Sequence, residues 1–174
     1  LDGYADTCDA LASCGDTAKK LEILKDPHCG AFAVIRLCSY FLAYAALCAC
    51  VRFTPRVGAV WTLALVGERA LSALAIAAIP LAKNTWLAHT FATAADRVCV
   101  RKILVLLCAA LAAALAILGG GALAAAAGCV FARYAVVARR QFGGITGDLA
   151  GWFLQKCEIW MLAALVACQW LGVL

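Results

Sequence analysis

The chain has 174 residues, is 66% apolar and 14% charged, and carries a mean hydropathy of +0.94 with a formal net charge of +5. A soluble domain holds roughly 45–50% apolar and 25% charged residues, so a water-soluble globule is excluded, and one polytopic membrane domain fills the length. The basic excess does not imply nucleic acid, because the basic residues are spread through short connections between apolar runs, as in cytoplasmic loops of membrane proteins.

The chain begins Leu1-Asp2-Gly3-Tyr4-Ala5-Asp6-Thr7-Cys8-Asp9. On a helix, positions 2, 6 and 9 lie about a turn apart and share a face. Three carboxylates at short range repel one another unless a cation sits among them. Their hard oxygens suit Mg²⁺ or Mn²⁺, which bridge phosphate oxygens. A solvated acidic helix beside the membrane is the plainer reading, but it needs neither the D-x3-D-x2-D regularity nor the glycine at position 3. Residues 1–29 hold six of the ten acids, together with Lys19, Lys20, Lys25 and His28, and Asp26-Pro27 is a helix-stop signal. Lys25 suits phosphate neutralisation, and Asp26 suits the metal site or the orientation of a hydroxyl. His28 reads as an interfacial polar side chain or, when neutral, as an aid to proton transfer.

Apolar spans follow, expected over 30–51, 57–82, 103–118, 122–138 and 149–171, each near the ~20 residues that cross a bilayer. Arg52, Pro55 and Arg56 form the first connection, and 83–102 is a mixed loop in which His89 has no local partner. Gly119-Gly120-Gly121 makes a tight turn. The eleven cysteines sit mostly singly inside apolar runs, with no CxxC pair, and read as small hydrophobes rather than metal ligands. With five spans, the acidic segment, the 83–102 loop and the 139–148 hinge share one side. That side carries nearly all the loop lysines and arginines, while the other has Arg52 and Arg56, so the acids are expected to face the cytoplasm. A chain that opens on Leu1 inside a motif, with Met161 its only methionine, is expected to be the C-terminal part of a longer protein.

The hinge contains Gly143-Gly144-Ile145-Thr146-Gly147-Asp148 directly before the last helix. Glycines let backbone N–H groups approach a phosphate at a helix N-terminus, although the same run also reads as a turn in which Asp148 caps the helix. Glu68-Arg69 lies inside the second span, where a mid-membrane ion pair or a part of the site floor is expected.

Taken together, L-D-G-Y-A-D-T-C-D-A-L, K-L-E-I-L-K-D-P-H-C-G-A-F and G-G-I-T-G-D-L-A-G resemble the cobalamin-5'-phosphate synthase family, also called adenosylcobinamide-GDP ribazoletransferases. The family's three runs occur in order and the resemblance covers most of the chain. Tyr4 stands where the family has Leu, and Ala10 where it has Gly. The resemblance implies an all-α, polytopic membrane protein of about five transmembrane helices plus an amphipathic acidic helix, forming a single domain over 1–174 with further helices upstream. It implies a Mg²⁺-dependent transferase in the plasma membrane. That enzyme would move the cobinamide phosphoryl group of adenosylcobinamide-GDP onto alpha-ribazole or its 5'-phosphate, releasing GMP. Asp2, Asp6 and Asp9 would hold the metal, and Asp6, Asp9 or Asp26 would accept the proton. Lys25, His28, Gly143, Gly144, Thr146, Gly147 and Asp148 would hold substrate. The partners are then these substrates and the lipid bilayer, with no nucleic acid; a homo-oligomer is compatible with this reading.

The residues leave two rival readings. A CDP-alcohol phosphotransferase also uses spaced aspartates at a membrane face, but its Ala-Arg after Asp-Gly and its longer aspartate series are missing. A transporter or non-catalytic membrane subunit would account for Glu68-Arg69 but leaves the aspartate trio and the glycine run without a joint explanation.

Overall fold

The computed structural model describes residues 1–82 and 97–174; Lys83, Asn84, His89 and Asp96 of the mixed loop lie outside the described residues. Seven helices are described: α1 Asp2–Ala12, α2 Thr17–Ile23, α3 Ala31–Cys50, α4 Pro55–Ala78, α5 Arg97–Ile117, α6 Gly121–Gln141 and α7 Gly147–Trp170. The last five run 20 to 24 residues and are apolar enough to cross a membrane. Large apolar side chains such as Leu42, Leu106 and Ile117 point outward, as a lipid-facing surface requires. The chain is a polytopic helix bundle, as its composition predicts.

Capping explains where the boundaries depart from the expected ones. Thr54 caps α4 by accepting from the Val57 N–H at 3.2 Å, with Pro55 in the first turn. Proline lacks only an N–H that would go unused there, so Pro55 starts the helix instead of sitting in the connection. Helix α5 begins at Arg97, and Arg101 and Lys102 are therefore helical and not part of a loop. The cap of α7 is Thr146, whose hydroxyl accepts from the Leu149 N–H at 3.2 Å; Asp148 lies one step inside the helix and is not its cap.

The bundle has two dissimilar ends. At one, α1 packs on α3 and α7, and α2 lies beside the hinge through Lys20 and Gln141. The end of α4 meets the same hinge, where Ile145 N donates to Pro80 O at 2.9 Å and Ala82 N to Ile145 O at 3.0 Å. At the other end, the α3–α4 connection, the Gly119 turn (φ +86°) and the C-terminus come together, with Arg56 Nε donating to Leu118 O at 3.0 Å. Between them, α6 and α7 share an aromatic core in which Tyr134 and Phe153 stack at 4.9 Å.

Candidate active site

Helix α1 buries Tyr4, Ala5, Thr7, Cys8 and Ala10 and leaves its aspartates on the accessible side. Gly3 explains how it sits. A Cβ on Gly3 would lie 2.6 Å from Asp148 Cα and 2.8 Å from Asp148 O, so the backbones of α1 and α7 touch there. Only glycine permits that approach without displacement. The aspartate motif and the glycine run, about 140 residues apart in sequence, thus become one surface.

Four carboxylates gather on it. Asp6 is held above its ordinary value, first by burial and then by Asp2, Asp148 and Asp9 in turn. Among the described residues no cation offsets this crowding at Asp6, which is the condition a bound divalent ion would relieve. Asp9 has a second task. Its Oδ2 accepts from Gly30 N at 2.6 Å and its Oδ1 from Ala33 N at 2.8 Å, so it caps α3 from across the chain. A carboxylate oxygen that accepts one hydrogen bond still has a lone pair for a metal or a water. Among the described residues no three His, Cys, Asp or Glu side chains gather tightly enough to enclose a metal by themselves. Mg²⁺ does not require that, because it usually keeps several waters and binds one or two carboxylates plus substrate phosphate. The acid set therefore fits a hydrated Mg²⁺ completed by substrate.

The remaining expected residues divide. Asp26 pairs with His28, with Oδ1 2.7 Å from Nδ1 and 2.9 Å from the His28 N–H, and these two bonds hold its carboxyl below the ordinary range. Lys25, Asp26 and His28 are all exposed on the loop between α2 and α3, and none is among the groups acting on Asp6. The structure joins this loop to the site through Gly30 and Asp9 rather than through those three side chains. In the glycine run, Gly144 N donates to Ala138 O at 2.9 Å and Ile145 N to Pro80 O. Two donors of the expected phosphate cradle are thus spent on protein carbonyls. A Cβ on Gly144 would lie 2.5 Å from Ala82 N, and Gly143 adopts φ +71°, so both glycines serve the chain's own path. Thr146 caps, Gly147 is exposed, and Asp148 belongs with the acids.

Several further charged residues inside the spans belong to no sequence motif. Lys156 lies over the Tyr4 ring, 5.6 Å from its centroid, and within electrostatic reach of Arg36 and Arg133. Glu158 accepts from Tyr40 OH at 3.3 Å and faces Arg69 Nη2 at 3.7 Å, while Arg69 Nε lies 3.4 Å from the fully buried Glu68. The expected Glu68-Arg69 pair therefore extends to α7. Tyr4 is 3% exposed and packs on Tyr40 at 5.5 Å, in keeping with an apolar position. A charge inside an apolar run is itself the signal that would have found these residues.

The family model for cobalamin-5-phosphate synthase matches residues 1–166. An adenosylcobinamide-GDP ribazoletransferase of Lachnoclostridium phytofermentans is 39% identical over 173 residues, covering 97% of this chain and 65% of that protein. The like-named protein of Geobacillus kaustophilus is 35% identical over 92% of this chain and 66% of its own length. That of Pseudomonas syringae pv. tomato is 32% identical over 91% and 65%. The chain thus spans just under two thirds of the length of these curated relatives. No solved structure matches it.

Proposed function

The chain belongs to the cobalamin-5-phosphate synthase family, and we propose that it joins adenosylcobinamide-GDP to alpha-ribazole or its 5'-phosphate, releasing GMP, at the surface where α1 meets α7. The observation that carries this reading is the convergence of Asp2, Asp6, Asp9 and Asp148, with no compensating cation at Asp6 among the described residues. Phosphoryl transfer asks a protein mainly for positioning and charge neutralisation. Mg²⁺, held by these carboxylates, would neutralise the diphosphate of the donor.

The chain's own residues do the rest. The ribazole hydroxyl forms a new bond to the phosphorus that carries cobinamide, the bond from that phosphorus to GMP breaks, and GMP leaves with the electron pair. The hydroxyl proton passes to a carboxylate of the acid set. Gly3 holds α1 against α7, so the trio and Asp148 face one ligand. Asp9 fixes the start of α3 to the same point. Lys25, Asp26 and His28 are assigned to the rim, where the exposed loop meets an arriving phosphate.

The acid end also carries Lys19, Lys20, Lys25, Arg101, Lys102, Arg139 and Arg140, against Arg52 and Arg56 at the other end. We assign that end to the cytoplasmic side of the plasma membrane on this charge bias. The test is an assay of the full-length protein in proteoliposomes with adenosylcobinamide-GDP or CDP-diacylglycerol as donor, with and without Mg²⁺. GMP release that needs both the cobinamide donor and Mg²⁺ is the expected result. Turnover of the lipid donor alone would transfer the protein to the CDP-alcohol class.

A further inference from the structure

Lys156, Arg36 and Arg133 come from three different membrane helices, α7, α3 and α6, and Lys156 feels both arginines. Their depths agree. At ~1.5 Å of rise per residue, Arg36 lies about 8 Å from the start of α3, Arg133 about 12 Å from the end of α6 and Lys156 about 14 Å from the start of α7. All three distances run inward from the end that bears the acids.

Arg69, deep inside its own helix, behaves differently. Arg69 has carboxylates on two sides, Glu68 and Glu158. Arg36, Arg133 and Lys156 have no hydrogen bond or ion pair among the described residues; Lys156 has only the face of Tyr4. Cys8 lies near Lys156 and Arg36 but brings no carboxylate to them. Three like charges inside membrane-spanning helices are costly unless something anionic joins them. Arg36 and Arg133 are exposed and Lys156 half-buried, so all three can meet such a group.

We propose that Arg36, Arg133 and Lys156 form a phosphate-binding subsite for a reactant, separate from the acid cluster. The inference rests on the phosphotransfer reading above. Guanidinium groups bind phosphate in bidentate fashion, and lysine adds a point charge. The subsite also supplies what the glycine run does not, since the Gly144 and Ile145 amides are spent on Ala138 and Pro80. Lys156 lies eight residues beyond Asp148, about 12 Å along α7. That separation suits a second phosphate better than the two linked phosphates held over the acids.

The experiment uses the full-length protein in nanodiscs of phosphatidylcholine, with and without phosphatidylglycerol, as wild type and as Arg36→Gln, Arg133→Gln and Lys156→Gln. Lys156→Arg serves as the charge-preserving control against misfolding. Thermal midpoints are read with ribose 5-phosphate and with inorganic phosphate, at matched ionic strength and without divalent cation. KM is measured for each acceptor form and for the donor. In phosphatidylcholine alone, both phosphates should raise the wild-type midpoint; each Gln variant should lose that rise and Lys156→Arg should keep it. The ratio of KM for alpha-ribazole 5'-phosphate to that for alpha-ribazole should rise about tenfold in the Gln variants, equivalent to about 1.4 kcal/mol. A rise confined to the donor KM would keep the subsite and give it to the donor's phosphate. A midpoint effect seen only with phosphatidylglycerol, or variants that retain both the phosphate effect and the KM ratio, would overturn it. Wild type with a phosphate effect that the variants lose, but with no turnover of either acceptor, would leave the anion site standing and remove the reaction from it.

Discussion

The two ends of the bundle are built on opposite electrostatic plans. Away from the acids, polar groups are answered locally: Gln169 accepts from Arg52 N at 3.1 Å and donates to Arg52 O at 2.7 Å, and Arg56 closes the Gly119 turn through Leu118 O. At the acid end, burial and three neighbouring carboxylates raise Asp6, with no cation among the described residues to offset them. An end that only has to turn the chain can satisfy its own groups. An end that holds a charged ligand would leave charge unanswered until the ligand arrives, which is the role proposed for the acid end.

The sharpest way to break this contrast is Asp6→Ala in the full-length protein. Turnover should fall by about 10²–10⁴-fold, the range for losing a positioned acid–base group. The thermal midpoint without divalent cation should hold or rise, because a repelling charge has gone. A variant with near-normal turnover would remove the acid cluster from the chemistry. Gly3→Ala comes next. Its Cβ would meet Asp148 backbone, which cannot swing aside as a side chain can, so α1 must move off α7. Overpacking of this kind costs about 1–3 kcal/mol, and denaturation should show the loss together with reduced turnover.

Asp9→Ala separates the two roles of that residue. It strands the Gly30 and Ala33 N–H groups, and loss of a cap costs about 0.5–2 kcal/mol. That destabilisation should persist with or without Mg²⁺, unlike the effect of Asp6→Ala. A smaller effect follows from pH. The Asp6 carboxyl sits above its ordinary 3.8 in the folded protein, so the fold favours its protonated form. Its contribution to stability is therefore complete below 3.8 and is lost as pH rises through the raised folded value. Above that window Mg²⁺ should restore the thermal midpoint and matched NaCl should not; equal effects of the two salts would mean simple screening.

Much of this architecture is legible in the residues. Five apolar runs separated by basic connections gave five long helices, and D-x3-D-x2-D placed three acids on the open face of α1. The glycine run was legible as a place of close backbone approach, but not as to what approaches. It is Pro80–Ala82 and Thr17 that come near Gly144 and Gly143, and pairings between distant segments leave no local pattern in a sequence. Asp9 shows the same limit: nothing at positions 6–12 announces that its oxygens will cap a helix starting at residue 31. Lys156, Arg36 and Arg133 were visible as charges in apolar runs, yet only the packing of three helices brings them together.

The mildest prediction concerns the other end. Gln169→Ala removes both hydrogen bonds to Arg52, at exposed positions where water can replace them. The net contribution of such bonds is ~0.5–1.5 kcal/mol each, and solvent access sets it near the lower figure. A small drop in the thermal midpoint is expected, with turnover and Mg²⁺ dependence unchanged, because the residue lies a full membrane span from Asp6. If Gln169→Ala instead impaired turnover as strongly as Gly3→Ala, the two ends would be coupled through α7. The division between an end built for closure and an end built for a ligand would then fail.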